Sequence, residues 1–343
     1  MLPPSSGSWN HLPRAFDGEC RRMRTTSRLR GIPTTFFLAF LLGYPNCLPA
    51  QSITGHLLEA ETGRPIQGAL VLLLNAEDSV RGGVLTDEEG YFGFSKVQVG
   101  RFSLRAEKIG HRTVTSPPFL LSPGQTLEIP LETVEAPIEL EGISVEGKTQ
   151  CIVRPDEGLK VARVWEEARK ALENQEWASK GGFLRFRVAR YRKELDRDGR
   201  VVKEGIREMA TLMGQTPIRS LPADDLLESG YVRRHESGSY DYFGPDARVL
   251  LSDPFLDTHC FQLVEDSEEP DRIGLAFEPV RERSVPDIRG TFWLDRATAT
   301  LDLLDFQYTW VPWAEAQGVA KGKVDFGILP SGAWVIQRWW IRM

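Results

Sequence analysis

The sequence predicts a mainly β protein: a β-sandwich near the start, then an α+β domain in which one long helix lies on a twisted antiparallel sheet. Three observations carry this. Short apolar runs separated by Gly-, Pro- and Asp-containing turns fill residues 52–133. Val161, Trp165, Ala168 and Leu172 then recur at spacings of four, three and four, which is one face of a helix. After that helix the pattern changes to period two, with hairpin turns up to the end of the chain.

The chain opens with Arg28-Leu29-Arg30, the apolar run 32–43 and Leu48-Pro49-Ala50 ahead of Gln51. Basic, apolar and small-residue regions in that order make a secretory signal peptide. Residues 1–50 are therefore expected to be an N-terminal extension and leader, cleaved near Ala50, with Met23 as a second start that gives a leader of ordinary length. The apolar run falls short of the ~20 residues of a spanning helix, so no transmembrane span is expected in the mature chain. Asn46 is a poor residue to precede a lipidated Cys47. Without residues 1–50 the formal net charge falls from −6 to −10. Such a surface repels phosphates and argues against nucleic acid as a partner.

Within the sandwich, residues 53–58 read as a strand and 61–65 as a turn, because Gly63 supplies positive φ and Pro65 fixes its own. Residues 69–74 are apolar enough for a buried strand. Thr86-Asp87-Glu88-Glu89-Gly90 is a second turn, and Tyr91-Phe92-Gly93-Phe94 starts the next strand. Residues 99–106 alternate, and 127–131 close a set of seven expected strands.

The series Gly55, Thr62-Gly63, Pro65, Gly68-Ala69, Val71, Thr86-Asp87-Glu88, Gly90, Tyr91-Phe92, Phe94, Gly100 and Lys108-Ile109-Gly110-His111 resembles the carboxypeptidase regulatory-like domain. The resemblance covers residues 52–133, a quarter of the chain. His111 stands where that family often has a tyrosine. The resemblance implies an Ig- or transthyretin-like, carbohydrate-binding-like sandwich without catalytic residues. Its relatives carry this domain as an accessory module at the start of secreted peptidases and TonB-dependent outer-membrane receptors.

The expected organisation is thus a leader at 1–50, a sandwich at 51–133, a linker at 134–150 and an α+β domain at 151–343. Pro130 and Pro137 keep the linker extended. Residues 140–147 look like the segment that follows this domain in TonB-dependent receptors, yet too few residues remain for a large barrel. The helix is expected to begin at Pro155-Asp156-Glu157, with Asp156 as cap or first-turn acid, and to stop at Gly181-Gly182. It is expected to pack on a sheet. Asp196 to Gly199 marks a hairpin, with Asp198-Gly199 as its signal. Residues 216–258 read as a long excursion or lid. Residues 290–295 and 300–308 form one hairpin, and 322–326 and 334–342 another. The pairing of 291–295 with 303–308 is similar to hairpins of periplasmic lipoprotein carriers, over about twenty residues. That likeness implies a curved sheet with a hollow for acyl chains.

The search for chemistry returns little. His56-Leu57-Leu58-Glu59 has the spacing of a carboxypeptidase zinc motif but no third ligand near it, so no metal is expected. Asp87-Glu88-Glu89, Asp224-Asp225 and the acids of 265–269 read as solvated turns. No nucleophile elbow, phosphate loop or dinucleotide fingerprint is present, so no catalytic residue and no cofactor are expected. Cys151 and Cys260 are the only cysteines after residue 50, and an oxidising compartment makes them a candidate disulfide. Six of nine tryptophans lie late. Trp293, Trp310, Trp313 and Trp339 are the candidate ligand-binding residues, for a glycan platform or a lipid hollow, with core and cover roles as the alternative. Adjacent Trp339 and Trp340 must point to opposite sheet faces.

The resulting reading is a secreted, periplasmic or outer-membrane-associated binding or scaffolding protein. Its partner is an envelope protein, a glycan or a lipid. Two other readings stay open. One is an accessory chain of a peptidase or TonB-dependent receptor system. The other is a hydrolase that uses His235, Glu236, Asp257 and His259.

Overall fold

The computed structural model describes residues 51–136, 160–181, 184–196, 198, 200–211, 215–216, 218–311 and 319–343. The signal segment, Cys151, Asp156 and Trp313 lie outside the described residues. Nine strands make the sandwich: β1 (Ser52–Glu59), β2 (Leu70–Asn75), β3 (Val80–Leu85), β4 (Tyr91–Ser95), β5 (Gly100–Glu107), β6 (Val114–Thr115), β7 (Phe119–Leu121), β8 (Thr126–Glu128) and β9 (Leu131–Thr133). One sheet runs β4-β1-β8, with β9 also on β1; the other runs β3-β2-β5-β6, with β7 also on β5. Nine strands stand where seven were expected; the stretches named in the sequence do not include the short β6 and β7, nor β3, whose Gly82-Gly83 pair dilutes the apolar signal. Ile53, Leu57, Val71, Leu73, Phe92 and Leu104 fill the space between the sheets.

The two motif turns have clear tasks. Thr86 Oγ1 donates to the Ile66 carbonyl at 2.6 Å and accepts from Ala69 N–H at 2.9 Å. One buried hydroxyl thus fastens the start of β2 to the turn before β4. Asp87 Oδ1 accepts from Glu89 and Tyr91 N–H, which closes the acidic turn. Gly90 sits at φ 72°, and a Cβ there would lie 2.6 Å from the Leu57 carbonyl oxygen, so only glycine fits.

α1 (Lys160–Lys180) follows, then the ribbon β10 (Arg187–Leu195) and β11 (Val201–Ala210). Asp196 Oδ1 accepts from Asp198 and Arg200 N–H in the ribbon's turn. The stretch read as a long excursion or lid consists of small elements: α2 (Ala223–Ser229), β12 (Val232–Arg234), β13 (Tyr240–Tyr242), α3 (Ala247–Leu250) and α4 (Asp253–Thr258). Their Leu226, Tyr231, Val249, Leu250 and Phe255 are buried in the same core as α1. Asp246 and Ser252 cap α3 and α4 by accepting from Val249 and Phe255 N–H. Each helix is too short to show a helical period in the sequence.

The last six strands, β14 (His259–Glu265), β15 (Arg272–Pro279), β16 (Asp287–Asp295), β17 (Leu301–Thr309), β18 (Lys321–Ile328) and β19 (Trp334–Arg342), form an antiparallel meander in chain order. Register assigns the faces. Leu275, Phe292, Leu304, Val324 and Trp339 stand side by side across five strands, on the face under α1. Their neighbours Gly274, Trp293, Leu303, Asp325 and Arg338 form the matching row on the opposite face.

α1 carries the stripe that the sequence predicts. Val161, Trp165, Ala168 and Leu172 are buried, and the Trp165 ring lies 5.8 Å from Phe261 and 6.0 Å from Phe292. A second side of the helix packs against the sandwich, with Glu166, Arg169, Glu173 and Trp177 half-buried at its margin. Trp177 packs on Leu70, Leu72 and Leu74, and a Cβ at Gly83 would lie 2.6 Å from its ring. Gly110 N–H donates to Glu167, and Lys170 Nζ donates to the His111 carbonyl and to Glu167. Arg169 pairs with Glu166 and Glu173 on its own helix and with Glu107 of β5 at 3.0 Å.

Asn174 joins all three layers. Its Nδ2 donates to the Gly68 carbonyl of the sandwich at 3.0 Å, and its Oδ1 accepts from Trp334 N–H of β19 at 3.0 Å. Gly68 and Gly332, both at positive φ, touch backbone to backbone beside it. Residues 49–343 accordingly form one compact unit. Asn174→Ala leaves one buried carbonyl and one buried N–H unpaired, each worth about 1–3 kcal/mol. Urea unfolding is expected to show a loss of about 2–6 kcal/mol. A loss near zero would show that the bridge does not hold the layers.

Candidate ligand-binding site

The six-stranded sheet ends at β19, and a cavity of about 640 Å³ lies along that strand. Three pieces of chain enclose it. Its floor is the α1 face of the sheet's last strands, with Phe306, Val324, Ile336, Trp339 and Ile341. One side is the segment 242–245. Tyr308 holds that segment by donating from its hydroxyl to the Phe243 carbonyl at 3.1 Å and by an edge contact between its ring and Tyr242 at 5.1 Å. The other side is Phe186 and the first five residues of β10, with Ile218 and Arg219. Arg187, Arg190, Arg219, Lys323 and Arg338 stand among the described lining residues, and no Asp or Glu does. The volume falls in the ~300–1,000 Å³ range of small-ligand sites.

The candidate tryptophans separate. Trp339 is partly buried and lines this cavity. Trp293 is on the opposite face, where its Nε1 donates to Asp305 Oδ2 at 2.6 Å. Trp310 follows β17 at φ 55° and is 65% exposed. One ligand surface therefore cannot hold both Trp293 and Trp339. The sequence named Trp339 but missed the basic and aromatic residues of β10, because nothing in their local pattern places that ribbon beside β19.

The opposite face has its own shallower depression of about 300 Å³ near Gln262, Arg289, Thr291 and Asp305. Burial raises the pKa of Asp305, with the Trp293 hydrogen bond and nearby Lys323 acting against it.

Of the four groups considered for hydrolysis, the two histidines have separate surroundings. His235 is exposed and contacts Asp241 at 2.7 Å, across the β12–β13 hairpin. His259 is buried and stacks on Phe255. Its Nδ1 faces the Phe255 carbonyl at 2.9 Å; its Nε2 faces the Ile288 carbonyl at 3.1 Å and Asp287 at 3.3 Å. Arg283 donates to Asp287 at 2.6 Å and to the Leu227 carbonyl at 2.6 Å. This cluster ties α2, α4, β14 and β16 together. His56 lies against Tyr91 at 5.4 Å. Among the described residues no three His, Cys, Asp or Glu side chains are grouped to hold a metal. Cys260, in β14, is buried and engaged with a partner; Cys151 lies outside the described residues. Among the described residues no helix is long and apolar enough to cross a membrane.

Residues 52–133 match the carboxypeptidase regulatory-like domain, the same span that the sequence motifs mark. A search of curated proteins finds no match. Among solved structures, the chain is similar to the pilus 2b backbone protein of group B streptococcus at 18% identity, over 25% of this chain and 41% of that one, with a TM-score of 0.22. It is similar to 5-hydroxyisourate hydrolase of Klebsiella pneumoniae at 18% identity, over 25% of this chain and 85% of that one, with a TM-score of 0.21. It is also similar to BcpA, the major pilin subunit of Bacillus cereus, at 8% identity over 86% and 95% of the two chains, with a TM-score of 0.24. At these scores the likenesses carry no argument about activity or partners.

Asp305 gives a pH test of the opposite face. A carboxyl whose pKa is raised on folding contributes stability at low pH that is lost as pH rises through the folded value. Asp305→Asn keeps an acceptor for Trp293 and removes that loss. Urea unfolding is expected to show the variant gaining on the parent as pH rises above the ordinary carboxylate range. A constant difference across pH would contradict the assignment.

Proposed function

We propose that this chain is a non-catalytic binding or scaffolding protein of the cell envelope, secreted or periplasmic. In this reading the sandwich is a brace, and the α+β part carries the ligand. The observation that carries it is the cavity along β19, with an aromatic and aliphatic floor and a basic rim. Trp339 is the tryptophan we assign to the ligand; Trp293 and Trp310 take other roles, and Trp313 remains a candidate ligand residue. The ligand classes in play are an envelope protein, a glycan and a lipid. The regulatory-like match at 52–133 supports an accessory role, since that domain accompanies other modules in its relatives. The division into a leader at 1–50, a sandwich at 51–133, a linker at 134–150 and an α+β part at 151–343 belongs to the same proposal.

The test uses residues 51–343, screened against lipids, glycans and envelope proteins. Trp339→Ala is expected to weaken the bound ligand by about tenfold or more, as loss of an aromatic anchor does. Trp310→Ala is expected to leave binding unchanged. Turnover of a substrate that disappears when a polar side chain is changed would overturn the reading in favour of a hydrolase.

We also propose a disulfide between Cys151 and Cys260. Closing so long a loop constrains the unfolded chain by about 4 kcal/mol in the entropic description. Denatured, unreduced protein is expected to show no reactive thiol in residues 51–343. Two reactive thiols would end the proposal.

A further inference from the structure

The cavity's lining is unusual in its order along the chain. Every residue from 186 to 191 contributes, and every residue from 336 to 341. Successive side chains of a strand point to opposite faces, so a hollow over one face meets alternate residues only. A hollow that meets six in a row on each side extends from its floor on the sheet face past the edges of the two strands.

The pairing agrees. Among the described residues, β19 pairs with β18 and with no strand on its other side, and β10 pairs with β11 alone. β19 is nine residues long. Long unpaired edges are ready templates for another strand, and soluble proteins usually cover, shorten or interrupt them. Here two such edges face one gap.

The two walls of the gap differ in chemistry. On the α1 side of the sheet stand Ile336, Trp339 and Ile341, with Val324 and Phe306 behind them. On the other side stand Lys323 and Arg338; Arg187 and Arg190, on alternate faces of β10, and Arg219 line the gap from across it. Lys323 and Arg338 share Asp325. Arg187, Arg190 and Arg219 have no ion-pair partner among the described residues. Arg190 also stands directly across the ribbon from Arg207, a like-charge pair that disfavours the ribbon unless an anion lies near. This basic concentration belongs to a chain of net charge −6.

We propose that the gap between β10 and β19 is a docking slot for an extended, acidic segment of a partner protein. The segment adds as a strand to β19, with apolar side chains toward Trp339 and Ile341 and carboxylates toward Lys323 and Arg338, while the arginines of β10 add positive charge along the length of the gap. Six residues at ~3.3 Å each fit the lined length. Main-chain hydrogen bonds supply affinity, and the alternation of apolar and acidic side chains supplies specificity. The inference rests on the binding reading and names its partner class.

The test uses the 51–343 chain and three synthetic peptides of about ten residues, longer than the lined stretch. One alternates valine and glutamate, one alternates valine and lysine, and one carries the first composition in two blocks. Amide hydrogen exchange is read at 186–191 and 336–341. The alternating acidic peptide is expected to slow exchange in both segments, and the other two to leave it unchanged. The double variant Arg187→Glu, Arg190→Glu is expected to weaken the acidic peptide by about tenfold or more. It is also expected to admit the lysine peptide. Both arginines are exposed, and circular dichroism confirms that the variant is folded. Equal protection by the block peptide, protection by oleate in place of peptide, protection caused by self-association, or no protection at all would overturn the slot. Peptide failure with lipid or glycan bound leaves the binding reading standing; failure of every ligand class removes that reading too.

Discussion

The fold depends on one constraint: α1 is packed on two sides, by the sheet and by the sandwich, which leaves a narrow strip from Arg163 through Glu166 and Glu173 to Lys180 in contact with solvent. Its apolar stripe meets the six-stranded sheet, and its polar side meets the sandwich. Asn174 marks where the three layers meet, because one side-chain amide satisfies a sandwich carbonyl and a β19 N–H together. Its donor and acceptor point in different directions, so the bond pair is made only when both layers are in place. The close approach of Gly68 and Gly332 beside it leaves no room for a side chain on either.

The charges on this seam set geometry more than they add stability. Glu107 has its oxygens 2.8 Å from Arg105 and 3.0 Å from Arg169, at angles that do not make hydrogen bonds. Burial raises the pKa of Glu173, and Arg169 only partly counters it. Burial also acts to raise Glu166, but there the hydrogen bond and charge of Arg169 prevail and its pKa is lowered. Desolvating such groups costs about as much as their attraction returns. A shifted docking of the sandwich, however, leaves buried charges without partners, which is far more costly. The seam therefore fixes where the sandwich sits. That in turn fixes α1 over the sheet face whose far end floors the cavity.

Much of this was legible in the residues. The turns around Gly63 and Gly90 mark the sandwich, and the spacing of Val161, Trp165, Ala168 and Leu172 gives the helix and its sheet-facing side. The hairpins at 295–301 and 328–334 follow from alternation and turn residues. The second packed side of α1 was not foreseen, because Glu, Arg and Lys at helical spacing carry no apolar signal. One signal of its burial was present. Leu70-Val71-Leu72-Leu73-Leu74 does not alternate, and a strand apolar on both faces needs a second layer to cover it. Trp177 is that cover. The site was less legible. Trp339 could be named, but its placement with β10 depends on contacts about 150 residues apart in the chain, which local pattern does not encode.

The most direct test of the central claim is native-state hydrogen exchange, read separately at β2 of the sandwich and at β16 of the meander. If α1 welds the layers into one unit, the slowest amides of both strands share one opening free energy and one denaturant dependence. Sandwich amides that exchange through their own lower-energy opening, while β16 stays protected, would contradict it.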